Sequence, residues 1–120
     1  VAIAWMVHQA KAAAEILAGE GIECQIVDPR TISPLDEDTI IECVEETGRL
    51  VVVDEAYPRC NMGTDISALV AREAFGALKA PIQVVSPPHV PVPFAPELED
   101  AFIPSPEKIA EAVRKTMNYK

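Results

Sequence analysis

The sequence has no apolar run approaching the ~20 residues that a membrane-spanning helix requires, and no charged-then-apolar leader stands ahead of its first element. The expectation is a soluble, cytoplasmic protein. Cysteine is scarce and odd in number: Cys24, Cys43 and Cys60 form no C-x-x-C pair and have no histidine at metal-ligand spacing. That argues against a disulfide framework and against a zinc site, and leaves reduced thiols. Only two histidines, His8 and His89, are present. Neither a G-x-G-x-x-G nor a P-loop occurs, so the usual nucleotide cradles are absent. Basic residues are few, 10 Lys and Arg against 19 Asp and Glu, for a formal net charge of -9. Repulsion of that size disfavours a nucleic-acid backbone or an anionic membrane, while a basic protein partner remains allowed.

What the sequence does contain is a regular alternation. At 120 residues and 49% apolar, the chain suits one folded domain. Val1 to Trp5 reads as a short strand, and Val7, Ala10, Ala14 and Leu17 then recur at helical spacing until Gly19 and Gly21. Ile22, Cys24 and Ile26 alternate with polar residues like a strand, and Asp28 to Leu35 is a loop punctuated by two prolines. Asp36 is an N-cap for a helix carrying Ile40, Ile41 and Val44, stopped by Gly48. Leu50 to Val53 is apolar throughout, as a strand covered on both faces requires. Thr64 or Asp65 opens a third helix with Ile66, Leu69, Val70 and Phe75, and Ile82 to Val85 is a fourth strand. Ser105 caps a last helix with Pro106 at its first position and Ile109, Ala110, Val113 and Met117 inward. Strand and helix alternating four times predict a mostly parallel sheet between helix layers.

In such sheets ligands gather beyond the carboxyl ends of the strands, which directs attention to Asp28–Leu35, Asp54–Gly63 and the stretch from Ser86 onward. Asp54 and Glu55 together suit a metal or acid–base work, and the helix start at Gly63–Asp65 suits an anion. The simpler reading is that Asp65 caps its helix and Arg59 pairs with a nearby acid. Cys60 beside Arg59 has the neighbour a nucleophile wants, yet position brings no histidine to it, so a packed or idle thiol is the simpler account. His8, at a strand-to-helix junction, reads as a partly exposed or interface residue. The stretch PPHVPVPFAPELEDAFIP holds six of the chain's 11 prolines, and these fix the backbone on both sides of His89. A rigidly presented ring suits a site, and it suits a docking contact equally.

Taken together, MVHQAKAAAEILAGEGIECQIVDPRTISPLDEDTI, TGRLVVVDEA and PPHVPVPFAPELEDAFIPS closely resemble the C-terminal domain of the beta subunit of thiamine-diphosphate-dependent 2-oxo acid dehydrogenases. The likeness spans essentially the whole chain, and its most specific block is D-x-R-T-x-x-P-x-D from Asp28 to Asp36. Around Cys60 and His89 the chain looks most like the acetoin dehydrogenase branch, with pyruvate and branched-chain enzymes as the other members. The resemblance implies a three-layer α/β/α sandwich, transketolase C-terminal domain-like. Its sheet has five strands, mostly parallel with one antiparallel, and the unassigned fifth strand lies within Pro91 to Ile103. It implies that residues 1–120 are one C-terminal domain of a longer beta subunit whose N-terminal pyrimidine-binding domain precedes them, as a start at Val1 within a strand also suggests. Family members usually carry a few more residues between the first strand and the MVH segment, so Trp5 followed directly by Met6 implies a shortened turn or missing residues.

The implied role is assembly. The parent enzyme uses thiamine diphosphate and magnesium, bound between the alpha subunit and the N-terminal domain of beta. This domain contributes no catalytic, cofactor or metal residue, and alone it is expected to be inactive and to bind neither group. The implied partners are a second beta subunit, the alpha subunit, and the basic subunit-binding domain of a lipoyl acyltransferase, with a homodimer expected for the fragment. The interface candidates are His89, Val90, Val92, Phe94, Glu97, Glu99, Asp100 and Phe102. Two other classes stay open: a free-standing anion- or nucleotide-binding regulatory module, and a thiol enzyme built on Cys60.

Overall fold

The three valines Val51–Val53 form strand β1 and organise the chain. The computed structural model describes residues 1–120. β1 pairs in parallel with β2, Gln83–Val85, in the register Val51 to Gln83, Val52 to Val84 and Val53 to Val85. On its other edge runs the amino-terminal segment: Ile3 N–H donates to the Val53 carbonyl, and Val53 N–H to the Val1 carbonyl, with a parallel bridge between Ala2 and Val53. Beyond that segment lies Ile22–Val27, tied to it by Ala2 N–H donating to the Val27 carbonyl at 3.0 Å.

Side chains on a strand alternate between faces, and β1 uses both. Val52 packs with Ile40, Val44, Ile66 and Val70 of helices α2, Glu37–Thr47, and α3, Met62–Glu73. Val51 and Val53 turn the other way, toward Met6, Leu17, Ile109 and Ala110 of helices α1, Met6–Ala18, and α5, Pro106–Met117. Helices therefore cover both faces of the strands.

The helix boundaries obey local chemistry. Asp36 accepts from Thr39 N–H and from the Thr39 hydroxyl, capping α2, and Gly48 ends it at φ 72°. Ser105 accepts from Lys108 N–H to cap α5, where Pro106 costs no hydrogen bond. α1 starts without a side-chain cap. The turn into it is tight, with Ala4 at φ 51° and Met6, Val7 and His8 amides donating to the Ile3, Ala4 and Trp5 carbonyls.

Several expectations change. The regular sheet has two strands, both parallel, where five with one antiparallel were expected. Ile22–Ile26 is extended and alternates in exposure, yet no backbone bond ties Glu23–Ile26 to a neighbour, so it is no ladder strand. The short strand expected within Pro91–Ile103 is instead a helix, α4, Pro96–Phe102. Pro96 supplies helical φ at its first turn, and Glu97 and Glu99 sit where the helix dipole favours acid. Phe75 falls beyond α3 in a 3-10 turn, Phe75–Ala77, and is 73% exposed. On α5 the inward place expected for Met117 is taken by Thr116, whose hydroxyl donates to the Val113 carbonyl and whose own carbonyl accepts from Arg49 Nε.

α3 approaches the strands most closely at Gly63, where an added Cβ would lie 2.7 Å from Val84 Cγ1 and 3.1 Å from Asn61 Oδ1. The Gly63→Ala variant is expected to lose about 1–3 kcal/mol of stability through this overpacking. Guanidinium unfolding measures it, and an unchanged midpoint would contradict the close fit.

Candidate interaction surface

β1 and β2 deliver their loops to the same end of the fold, and burial separates the residues there by role. Asp54 is buried, and its Oδ1 accepts from Ala56 N–H at 3.0 Å while its own N–H donates to the Val85 carbonyl. Glu55 beside it is exposed. The two carboxylates do not converge, because one is committed to a turn. Likewise α3 is capped by Asn61, whose Oδ1 accepts from Thr64 N–H at 3.0 Å, so neither Thr64 nor Asp65 starts the helix. Asn61 has extended backbone, φ -107° and ψ 171°, which is what an N-cap needs, and Asp65 sits in the first turn. Asn61 is buried and its Nδ2 has no partner. Arg59 is exposed and makes no ion pair.

The two histidines lie against aromatic rings. His8 packs on Trp5 with ring centroids 4.9 Å apart, and His89 on Tyr57 at 5.6 Å. The second contact joins the loop after β1 to the proline segment after β2, a pairing hidden in the sequence because 32 positions separate the residues. No charge or hydrogen bond signals it.

The proline segment is anchored at its ends. Pro87 is buried where it leaves β2, and Phe102 and Pro104 are buried where it enters α5. Between the anchors the apolar side chains face out: Val90, Val92 and Leu98 are about half exposed or more, and Phe94 is 100% exposed. His89, Glu97, Glu99 and Asp100 are exposed among them. Phe102 parts company with the other interface candidates, since at 8% exposure it belongs to the domain's own packing. Leu98 joins the exposed set. Periodicity does not mark it, since Leu98 and Phe102 share a face in a helix and in a strand alike; the packing that buries Phe102 where the segment enters α5 leaves Leu98, one turn earlier on α4, in solvent.

The groups at the strand ends do not fit a diphosphate–metal cofactor. Asp54 is bound to backbone, Asp28 lies 3.5 Å from Arg30, and α2, α3 and α5 carry their own side-chain caps. No three His, Cys, Asp or Glu side chains converge as metal ligands do.

Comparison with known proteins adds a lineage to this geometry. The profile of the family described as "Transketolase, C-terminal domain" matches residues 1–109. The chain is 69% identical over 112 residues to the acetoin:2,6-dichlorophenolindophenol oxidoreductase subunit beta of Cupriavidus necator, covering 93% of this chain and 33% of that protein. It is 47% identical over 107 residues to the pyruvate dehydrogenase E1 component subunit beta of Rickettsia felis, covering 89% of this chain and 33% of that one. Among solved structures, a split-gene transketolase described as an inactive beta4 tetramer superposes with a TM-score of 0.82 at 24% identity, over 97% of this chain and 36% of its own. The chain thus spans about a third of the length of the curated relatives it matches.

The three thiols differ in surroundings. Cys60 is exposed, at φ 54°, whereas burial pushes the Cys24 and Cys43 thiols up, with acidic neighbours adding to it. Iodoacetamide at neutral pH is therefore expected to alkylate Cys60 roughly tenfold or more faster than the other two, since only thiolate reacts. Peptide mass spectrometry reads the order, and faster labelling of Cys24 or Cys43 would contradict it.

Proposed function

The chain belongs to the transketolase C-terminal domain family, and from that membership we propose that it is the assembly and docking domain of a thiamine-diphosphate-dependent dehydrogenase beta subunit acting on acetoin or a 2-oxo acid. The observation that carries this reading is the run of exposed apolar side chains, Val90, Val92, Phe94 and Leu98, on a proline-stiffened segment anchored at both ends. Apolar groups so grouped mark a contact surface. The backbone that bears them is already restricted, so little conformational entropy remains to be lost on binding. A second beta subunit is the proposed occupant, with the fragment itself forming a homodimer. Thiamine diphosphate and magnesium are assigned to the rest of the parent enzyme and the alpha subunit, because the groups of this domain do not fit them.

The docking of a basic acyltransferase subunit-binding domain rests on charge. Glu97, Glu99 and Asp100 are exposed beside the apolar run, and the whole chain carries -9. Complementary fields speed encounter and select the partner. The reading of a free-standing anion- or nucleotide-binding module has less support, since Asp54 is bound to backbone and α2 and α3 carry their own side-chain caps.

Phe94→Asp tests the assembly role. The side chain touches nothing in its own domain, so circular dichroism is expected to be unchanged, while a charge forced into the contact shifts the association midpoint by about two decades or more. Sedimentation across a concentration series measures it. A wild-type chain that stays monomeric, or a variant that unfolds, would show that the segment is not a contact surface.

A further inference from the structure

From Ser86 to Asp100 no hydrogen bond or ion pair ties the chain to anything beyond the proline segment and α4. The first such bond comes at Ala101, whose carbonyl accepts from Lys108 Nζ at 3.3 Å. Ahead of it stands one ring contact, His89 on Tyr57, with centroids 5.6 Å apart and planes inclined at 57°.

Where that contact falls along the segment is informative. Proline fixes its own φ and confines the residue before it to extended backbone. Between Ser86 and Pro93 the prolines are Pro87, Pro88, Pro91 and Pro93, so Ser86, Val90 and Val92 each precede one. His89 alone is neither a proline nor the residue before one. It is the joint of this stretch, and the chain bends there: Val90 N–H donates to the Pro88 carbonyl at 2.8 Å, a three-residue turn centred on His89. Rotation at His89 therefore decides where Val90 and Val92 point and where Phe94 is carried. Tyr57 packs against that one residue. Its own backbone is restrained on both sides, by the turn in which Ala56 N–H donates to Asp54 Oδ1 and by Pro58, which follows it. Rings brought together from backbone already restrained lose little freedom on meeting.

We propose that Tyr57 and His89 form a clasp, in which Tyr57 is the positioning residue that locks the joint of the proline segment and so sets the direction of the apolar run. Its purpose rests on that run being the contact surface proposed above. With the clasp closed, Val90, Val92 and Phe94 are presented in one direction before any partner arrives. With it open, the stiff stretch swings about His89 and the same side chains are spread over many directions. The contact is ring on ring, so phenylalanine serves at position 57 as tyrosine does, and alanine does not.

Limited proteolysis of the full polypeptide, diluted below its association midpoint, tests the clasp apart from assembly. Chymotrypsin cuts after Phe94, which is fully exposed, at a rate that follows how often the segment opens to fit the protease. Tyr57→Ala is expected to raise that rate roughly two- to tenfold, the range that loss of an aromatic pair corresponds to. Tyr57→Phe is expected to keep the wild-type rate, and His89→Ala combined with Tyr57→Ala to raise it no further than either alone. Cleavage after the buried Phe102 reports wider unfolding and is expected to stay slow in every variant. An unchanged rate at Phe94 in Tyr57→Ala, additive effects of the two alanines, or equal acceleration after Phe102 would overturn the proposal. Failure of the contact-surface reading shows instead in the sedimentation of Phe94→Asp.

Discussion

Burial of β1 on both faces at once is the interaction on which the rest of the structure depends. Val52 is 0% exposed and Val53 2%, and each serves a different helix layer. At about 1.5–3 kcal/mol for each fully buried valine, the strand gains more from its side chains than three residues of ladder supply. The edges of β1 then fix its neighbours, β2 through alternate residues and the amino-terminal segment through the others. Once those neighbours are set, the crossover helices have only the two faces to cover.

The same arrangement produces the exposed surface. β1 and β2 are parallel, so their carboxyl ends and following loops lie together, and Tyr57 meets His89 there. The proline segment must travel from the end of β2 to the start of α5. Pro87 holds one end in the domain and Phe102 with Pro104 the other, so the apolar groups between them cannot fold back onto the core. α4 is too short to hide them. Apolar residues that a stiff tether keeps in solvent are a standing cost in an isolated domain and an advantage in an assembled one.

Charge plays a lesser part in holding the domain together. Arg114 makes two contacts with Glu20, at 2.9 and 2.5 Å, linking α5 to the end of α1, and that hydrogen bonding lowers the Glu20 carboxyl below its usual value. Both side chains are well exposed, and water screens such pairs until they contribute little. The Asp36 carboxyl is lowered in the same direction by Thr39. Its folded value lies below its unfolded one, so the stabilisation is present above the unfolded value and disappears as pH falls through the folded one. The bulk of the negative charge is unpaired and faces solvent.

Local chemistry in the sequence by itself determined the α/β class, the positions of α1, α2 and α5, the caps at Asp36 and Ser105, the stop at Gly48 and the two-faced burial of Val51–Val53. Each depends on residues within a turn or two of one another. It also marked the proline segment as the surface of interest, because stiffness and apolarity are properties of composition. Tertiary structure alone decided the rest. Whether Ile22–Val27 becomes a ladder strand depends on what lies along its edge, and no pattern of alternation reports that. Phe102 is buried and Leu98, one turn earlier on the same face of α4, is not, a difference that neither helical nor strand periodicity reports. Gly63 lets α3 approach Val84, a contact between residues 21 positions apart. Distances of that kind are set by the packing of helices on strands, which the linear order of residues does not encode one position at a time.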